Sequence, residues 1–181
     1  MLPILSDAEK LAEGLARINK SVKKSGVAYN NEAGTVTTFC VNSAPVSHEE
    51  LLAFGEKLKV RQADVKAEIA NATSGSAGAA VNISYWLATR YAEWVGKKTK
   101  QQVCVAPAIA AVLAELSAPD KFETISSGEL FKDNCGSQSA VRKKLVLYDV
   151  EDSGMTAGCV SNNSLRPELS FRLAAGDICS E

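Results

Sequence analysis

The sequence predicts a mainly α-helical domain, a bundle of about four helices with one or two small β-hairpins appended, with an α+β arrangement as the alternative. Three observations carry this expectation. Capping signatures precede apolar residues at helical spacing, Pro and Gly stand where helices begin and end, and strand-like runs are short and mostly late in the chain. A chain of 181 residues fits one domain, long enough to bury roughly 70% of its unfolded surface. Residues 1–181 are therefore read as a single helix-rich domain whose portion from about residue 120 is richer in loops and strands.

The first helix is signalled by Ser6-Asp7-Ala8-Glu9, a capping box, followed by Leu11, Leu15, Ile18 and Val22 at spacings of four, three and four. It should end near Gly26, with Lys23 and Lys24 in a last turn where the helix dipole favours cations. A β-hairpin is expected next, from Val27-Ala28-Tyr29 and Thr35 to Val41 around the turn-rich Asn30 to Gly34. A second capping box, Ser47 with Glu50, opens a helix that should run to about Asn71 with Leu51, Phe54, Leu58, Val65 and Ile69 on its apolar side. Thr73 to Gly78 reads as a flexible connector or a tight crossing between helices. A third helix should carry Ala80, Ile83, Leu87, Tyr91 and Trp94 on one face and end at Gly96. A fourth should start at Pro107 and stop before Pro119.

Further on, Leu145 to Val150 reads as a strand, turning at Asp152-Ser153-Gly154 into a partner from Met155 to Val160. The segment from Pro167 to Ala175 carries two conflicting signals. Leu169, Phe171 and Leu173 alternate like a strand, whereas Pro167 and Gly176 bracket it like a helix, and helix is the expectation adopted.

Bulk chemistry narrows the function classes. Twenty basic residues against 21 acidic ones leave a formal charge of -1, so no global field draws the chain to nucleic acid or anionic lipid. The longest apolar runs, such as Val103 to Val112 with Pro107 inside, fall short of the roughly 18 residues of a transmembrane helix, and no membrane span is expected. Met1 to Asp7 lacks the basic start and apolar centre of a signal peptide, so an exported chain would be present here in mature form. Compartment stays open.

The single histidine, His48, falls in the first turn of the helix that Ser47 caps, which accounts for it without a ligand. No G-x-x-x-x-G-K-[ST], G-x-G-x-x-G or G-x-S-x-G pattern occurs, and no C-x-x-C pair suggests zinc. No catalytic residue, cofactor or metal is therefore expected. Cys40 and Cys104 lie in apolar runs that suit buried free thiols, while Cys135, Cys159 and Cys179 lie in turn-like surroundings and are the disulfide candidates. Lys97, Lys98 and Lys100 form one basic cluster and Arg142, Lys143 and Lys144 another; with Arg90 and nearby aromatic residues they are the nucleic-acid-binding candidates.

The expectation that follows is a non-enzymatic structural subunit that self-associates as a coat, capsid or filament protein does, touching nucleic acid through its local basic patches. The first alternative is a secreted or cell-surface binding domain with a C-terminal disulfide. The second is an enzyme whose carboxylates the sequence does not pair in space.

Overall fold

The computed structural model describes residues 1–25, 37–123, 128–132, 143–150, 154–161, 165 and 167–180. Among these, strands β1 (Leu2–Ser6), β2 (Thr37–Val41), β3 (Thr73–Ser74), β4 (Ala80–Val81), β5 (Val103–Val105), β6 (Glu129–Leu130), β7 (Lys143–Val150), β8 (Gly154–Ser161), β9 (Ser170–Phe171) and β10 (Leu173–Ala175) accompany five helices. The helices are α1 (Ala8–Ser25), α2 (His48–Glu56), α3 (Ala63–Asn71), α4 (Tyr85–Thr99) and α5 (Ala108–Ser117).

The expected helical bundle is overturned: the fold is α+β. An antiparallel sheet in the order β1-β2-β10-β5 lies at its centre, and a second sheet runs β8-β7-β6-β9, with β6 and β9 parallel. The central sheet separates two hydrophobic cores, as strand alternation requires. Leu173 and Val105 are buried with the side chains of α2, α3 and α4, whereas their neighbours Ala174 and Ala106 are buried with those of α1 and α5. Ile4, Phe39 and Val41 join the second group.

Several local expectations are corrected by tertiary context. Met1 to Asp7 contains β1, which pairs with β2 in the register Leu2↔Val41 to Ser6↔Thr37. The expected hairpin partner of this strand, around Val27 to Tyr29, lies outside the described residues. The cap of α1 is Asp7 rather than Ser6, since Asp7 Oδ1 accepts from the Lys10 amide at 2.8 Å. Ser47 does cap α2 reciprocally with Glu50, the two bonds measuring 3.0 and 2.8 Å, and His48 is its half-buried first residue. The long helix expected after Ser47 breaks at Lys57 and restarts as α3, which lets Leu58, Val65 and Ile69 all reach the core.

Thr73 to Val81 is neither connector nor helix crossing but the small hairpin β3–β4. Ala77 and Gly78 take positive φ at its tip, and a Cβ at Gly75 would lie 2.8 Å from Val81 Cγ1, which explains the small residues. Helix α4 starts later than expected, because Ala80 and Val81 are in β4, and passes through Gly96 to Thr99. The long strands β7 and β8 match the hairpin read from the sequence. Residues 167–175 hold a turn and the strands β9 and β10, not a helix. Leu169, Phe171 and Leu173 share one core at the period of a strand, and Arg172 points away from them.

Arg172 marks the place where the chain leaves one four-stranded sheet for the other, and it is 1% exposed. Its Nε donates to Glu129 Oε1 at 2.8 Å, and Nη2 lies 2.6 Å from the same oxygen. Nη1 donates to the Asn42 and Ser43 carbonyls at 3.1 and 3.2 Å, and Nη2 to Glu123 O at 2.7 Å. The guanidinium also covers the Phe122 ring, 4.0 Å from its centroid. All donor capacity is thus used, as a buried guanidinium requires. Burial pushes the Glu129 carboxyl upward in pKa, and the adjacent guanidinium opposes that shift.

Removing one member of such a pair leaves an uncompensated buried charge. Arg172→Met is expected to reduce the unfolding free energy by about 3–5 kcal/mol. Arg172→Met combined with Glu129→Leu should cost less, as read by urea denaturation. Equal losses in the single and double variants would assign the effect to the carbonyl contacts instead of the ion pair.

Candidate functional site

The outward face of α4 concentrates the features that the sequence singled out. Ser84 starts the helix: its buried hydroxyl accepts from the Leu87 amide at 3.0 Å and donates to Glu68 Oε2 at 2.7 Å. Just before it, Asn82 takes a left-handed conformation with φ 58° and donates from Nδ2 to Asn71 O at 2.9 Å. These contacts fix the helix against α3. At the other end the left-handed residue is Lys100, and the Lys100 and Gln101 amides both donate to Gly96 O, closing the last turn around Lys97 and Lys98.

Tyr85, Leu87, Ala88, Tyr91 and Ala92 face the core. Along another side run Trp86, Arg90, Trp94 and Lys98, each four residues from the next and therefore in one row. Trp86 and Trp94 are half-buried, while Arg90 and Lys98 are exposed. Arg90 lies 5.2 Å from the centroid of the Trp86 ring. Trp94 receives two cations: Lys98 at 5.0 Å and, from the end of α2, Lys57 at 5.7 Å. The indole body is held by Phe54 at 5.0 Å and Tyr91 at 5.9 Å between centroids, and Tyr91 meets Phe171 edge-on at 5.9 Å. Arg90 also pairs with Glu93 at 3.2 Å, an exposed contact of small energetic weight.

The candidate residues separate clearly. Arg90 and Lys98 are brought onto one row with the tryptophans, and Lys97 and Lys100 stand exposed at the same helix end. Lys143 and Lys144 belong to β7 by their backbone, and Arg142 lies outside the described residues. Lys57 was missed by sequence reasoning. Its signal was indirect, the first of the basic residues Lys57, Lys59 and Arg61 at and after the end of α2, and only the packing of α2 against α4 brings it to Trp94.

Cysteine pairing also differs from expectation. Cys104 is not a free thiol: it forms a disulfide with Cys179, 75 residues away, with the two Cα atoms 5.6 Å apart. The cause is register. Ala174 sits opposite Cys104, and Gly176, at φ 111°, turns the chain so that Cys179 returns over the same face of the sheet. The apolar setting of Cys104 was legible; its partner was not. Cys179 therefore pairs outside the trio in which a disulfide was sought. Cys159 lies on β8 by its backbone, Cys135 falls outside the described residues, and Cys40 is free and half-buried.

No family model matches the chain, and no curated protein matches it either. Among solved structures it resembles the crystal structure of CarF, with a TM-score of 0.53 and 11% sequence identity, covering 83% of this chain and 93% of that one. The likeness is one of fold.

Burial, with the nearby Glu50 carboxylate, raises the Tyr91 phenol from its ordinary 10.0 to about 12. Because the folded-state value is the higher one, this contribution to stability is intact below the unfolded value and is lost as pH rises toward about 12. Ultraviolet titration of phenolate should include a late step near that pH. Tyr91→Phe should remove it and flatten the alkaline loss of stability.

Proposed function

We propose that the chain is a non-catalytic binding domain of an oxidising compartment, a secreted or cell-surface protein whose fold is stapled near its C-terminal end. The disulfide between Cys104 and Cys179 carries this reading, since such bonds form and persist where thiols are not kept reduced. The bond ties β5, at one edge of the central sheet, to the turn that follows β10. By closing a loop of 75 residues it restricts the unfolded chain, a contribution of about 4 kcal/mol on the chain-entropy account. Rigidity of that kind suits a domain whose work is to present a surface.

Tryptic digestion without reduction tests this directly. Protein recovered from an oxidising compartment is expected to yield peptide 101–121 joined to the peptide that begins at Leu173 and carries Cys179. Five alkylatable thiols under denaturing, non-reducing conditions would rule the reading out.

One observation favours self-association as a second reading. Among the described residues β1 pairs only on its β2 side, and Leu5 is 64% and Met1 52% exposed beside that open edge. Pro3 removes one donor from the edge, so association there would rest on apolar side chains more than on a continuous ladder. Light scattering across protein concentration should then show growth in mass that Leu5→Lys abolishes. A constant monomer mass would dismiss this second reading.

A further inference from the structure

We propose that the Trp86, Arg90, Trp94 and Lys98 row of α4, completed by Lys57 from α2, is a docking surface for a linear acidic polysaccharide. This deepens the binding-domain reading and rests on it for the identity of the partner, because the extended polyanions met outside a reducing cell interior are chiefly carbohydrate.

The electrostatic argument begins with Trp94. Two ammonium groups from different helices converge on one indole, at 5.7 and 5.0 Å from its centroid, and neither has a carboxylate partner among the described residues. The carboxylate that does stand on this face, Glu93, is engaged by Arg90 at 3.2 Å. Each ammonium is therefore open to attract a solvent anion, and two such cations beside one ring add to the positive potential there.

Geometry then selects the shape of the ligand. Positions four apart on a helix rise by roughly 6 Å, so Arg90 and Lys98 are spaced by roughly 12 Å along the axis, and an anion at the Arg90 end competes with Glu93 in a weak, exposed pair. A compact anion reaches one of these sites. An extended polyanion laid along α4 reaches both, and its binding gains from the linkage.

Chemistry also separates carbohydrate from single-stranded nucleic acid. Sequence-tolerant binding of single strands relies on bases stacking on free aromatic faces. Here Trp86 already carries Arg90, Trp94 carries Lys57 and Lys98, and both indoles pack against the core of α2, α3 and α4. What the surface offers outward is ordered positive charge, which sulfate and carboxylate groups can use without stacking.

The test uses the full-length oxidised protein titrated calorimetrically with heparin, with polygalacturonate and with an oligothymidylate of similar charge, at about 50 mM and about 200 mM salt. Binding to at least one polysaccharide, weakened by salt and tighter than to the oligonucleotide, is expected. Lys57→Gln with Lys98→Gln should weaken it about tenfold. The same charge change at Lys10 and Lys121, near α1 and α5 across the central sheet, should alter it by less than about twofold. No polysaccharide binding, a preference for the oligonucleotide, or equal effects of the two double variants would each overturn the proposal. Disulfide mapping of the same preparation keeps the two readings distinguishable. Polysaccharide binding by a chain with five free thiols would refute the compartment reading and leave the surface standing, whereas a formed disulfide without binding would refute the surface alone.

Discussion

The buried guanidinium of Arg172 is the constraint on which the rest of this architecture turns. It stands at a single residue between β9 and β10, where the backbone crosses from one four-stranded sheet to the other, and its five N–H donors hold parts of the chain far apart in sequence. Its carboxylate partner is 43 positions away, and the Asn42 carbonyl 130. Main-chain bonds reinforce the junction: the Val46, Asn42 and Ala106 amides donate to the carbonyls of Phe171, Leu173 and Arg172 at 2.8–2.9 Å. An ion pair so deeply buried is not an efficient source of stability compared with apolar packing. Its evident consequence is geometric, since a guanidinium has one planar arrangement in which every donor finds an acceptor.

Placing β10 in the middle of the central sheet has consequences on both sides. Toward α1 and α5, Ala174 leaves room beneath the sheet for the disulfide, and the small residues of α5, among them Ala108, Ala110, Ala111 and Ala114, allow close approach. Toward α4, Leu173 and Phe171 form the floor on which Tyr91 rests, and Tyr91 in turn supports Trp94. The exposed row of α4 is therefore not a loose surface feature. Its aromatic members are braced by contacts that run back to the junction beside Arg172, while its charged ends remain in solvent.

How much of this could be read in advance varies from element to element. The Ser47 cap was legible because both partners lie within four residues, and the long β7–β8 hairpin was legible because its runs and turn are contiguous. The β1 strand was not, since five residues beginning Leu2-Pro3-Ile4 have no distinctive period until β2 lies beside them. In residues 167–175 the alternation of Leu169, Phe171 and Leu173 was the true signal, and the flanking Pro167 and Gly176 misled because each also serves at a strand end or turn. In the candidate site, Arg90 and Lys98 could be placed on one row with the tryptophans by counting fours, but Lys57 belongs to another helix.

The sequence by itself determined the Ser47 start of α2, the size of the apolar inventory, the absence of a helix long and apolar enough to cross a membrane among the described residues, and the charge along α4. Tertiary structure decided that strands rather than helices occupy the centre, that Cys104 finds Cys179, and that Arg172 finds Glu129. The division has a physical cause. Caps, turns and helical rows are set by interactions within a few residues, whereas strand pairing, sulfur pairing and buried charge pairing depend on which distant segments share one core.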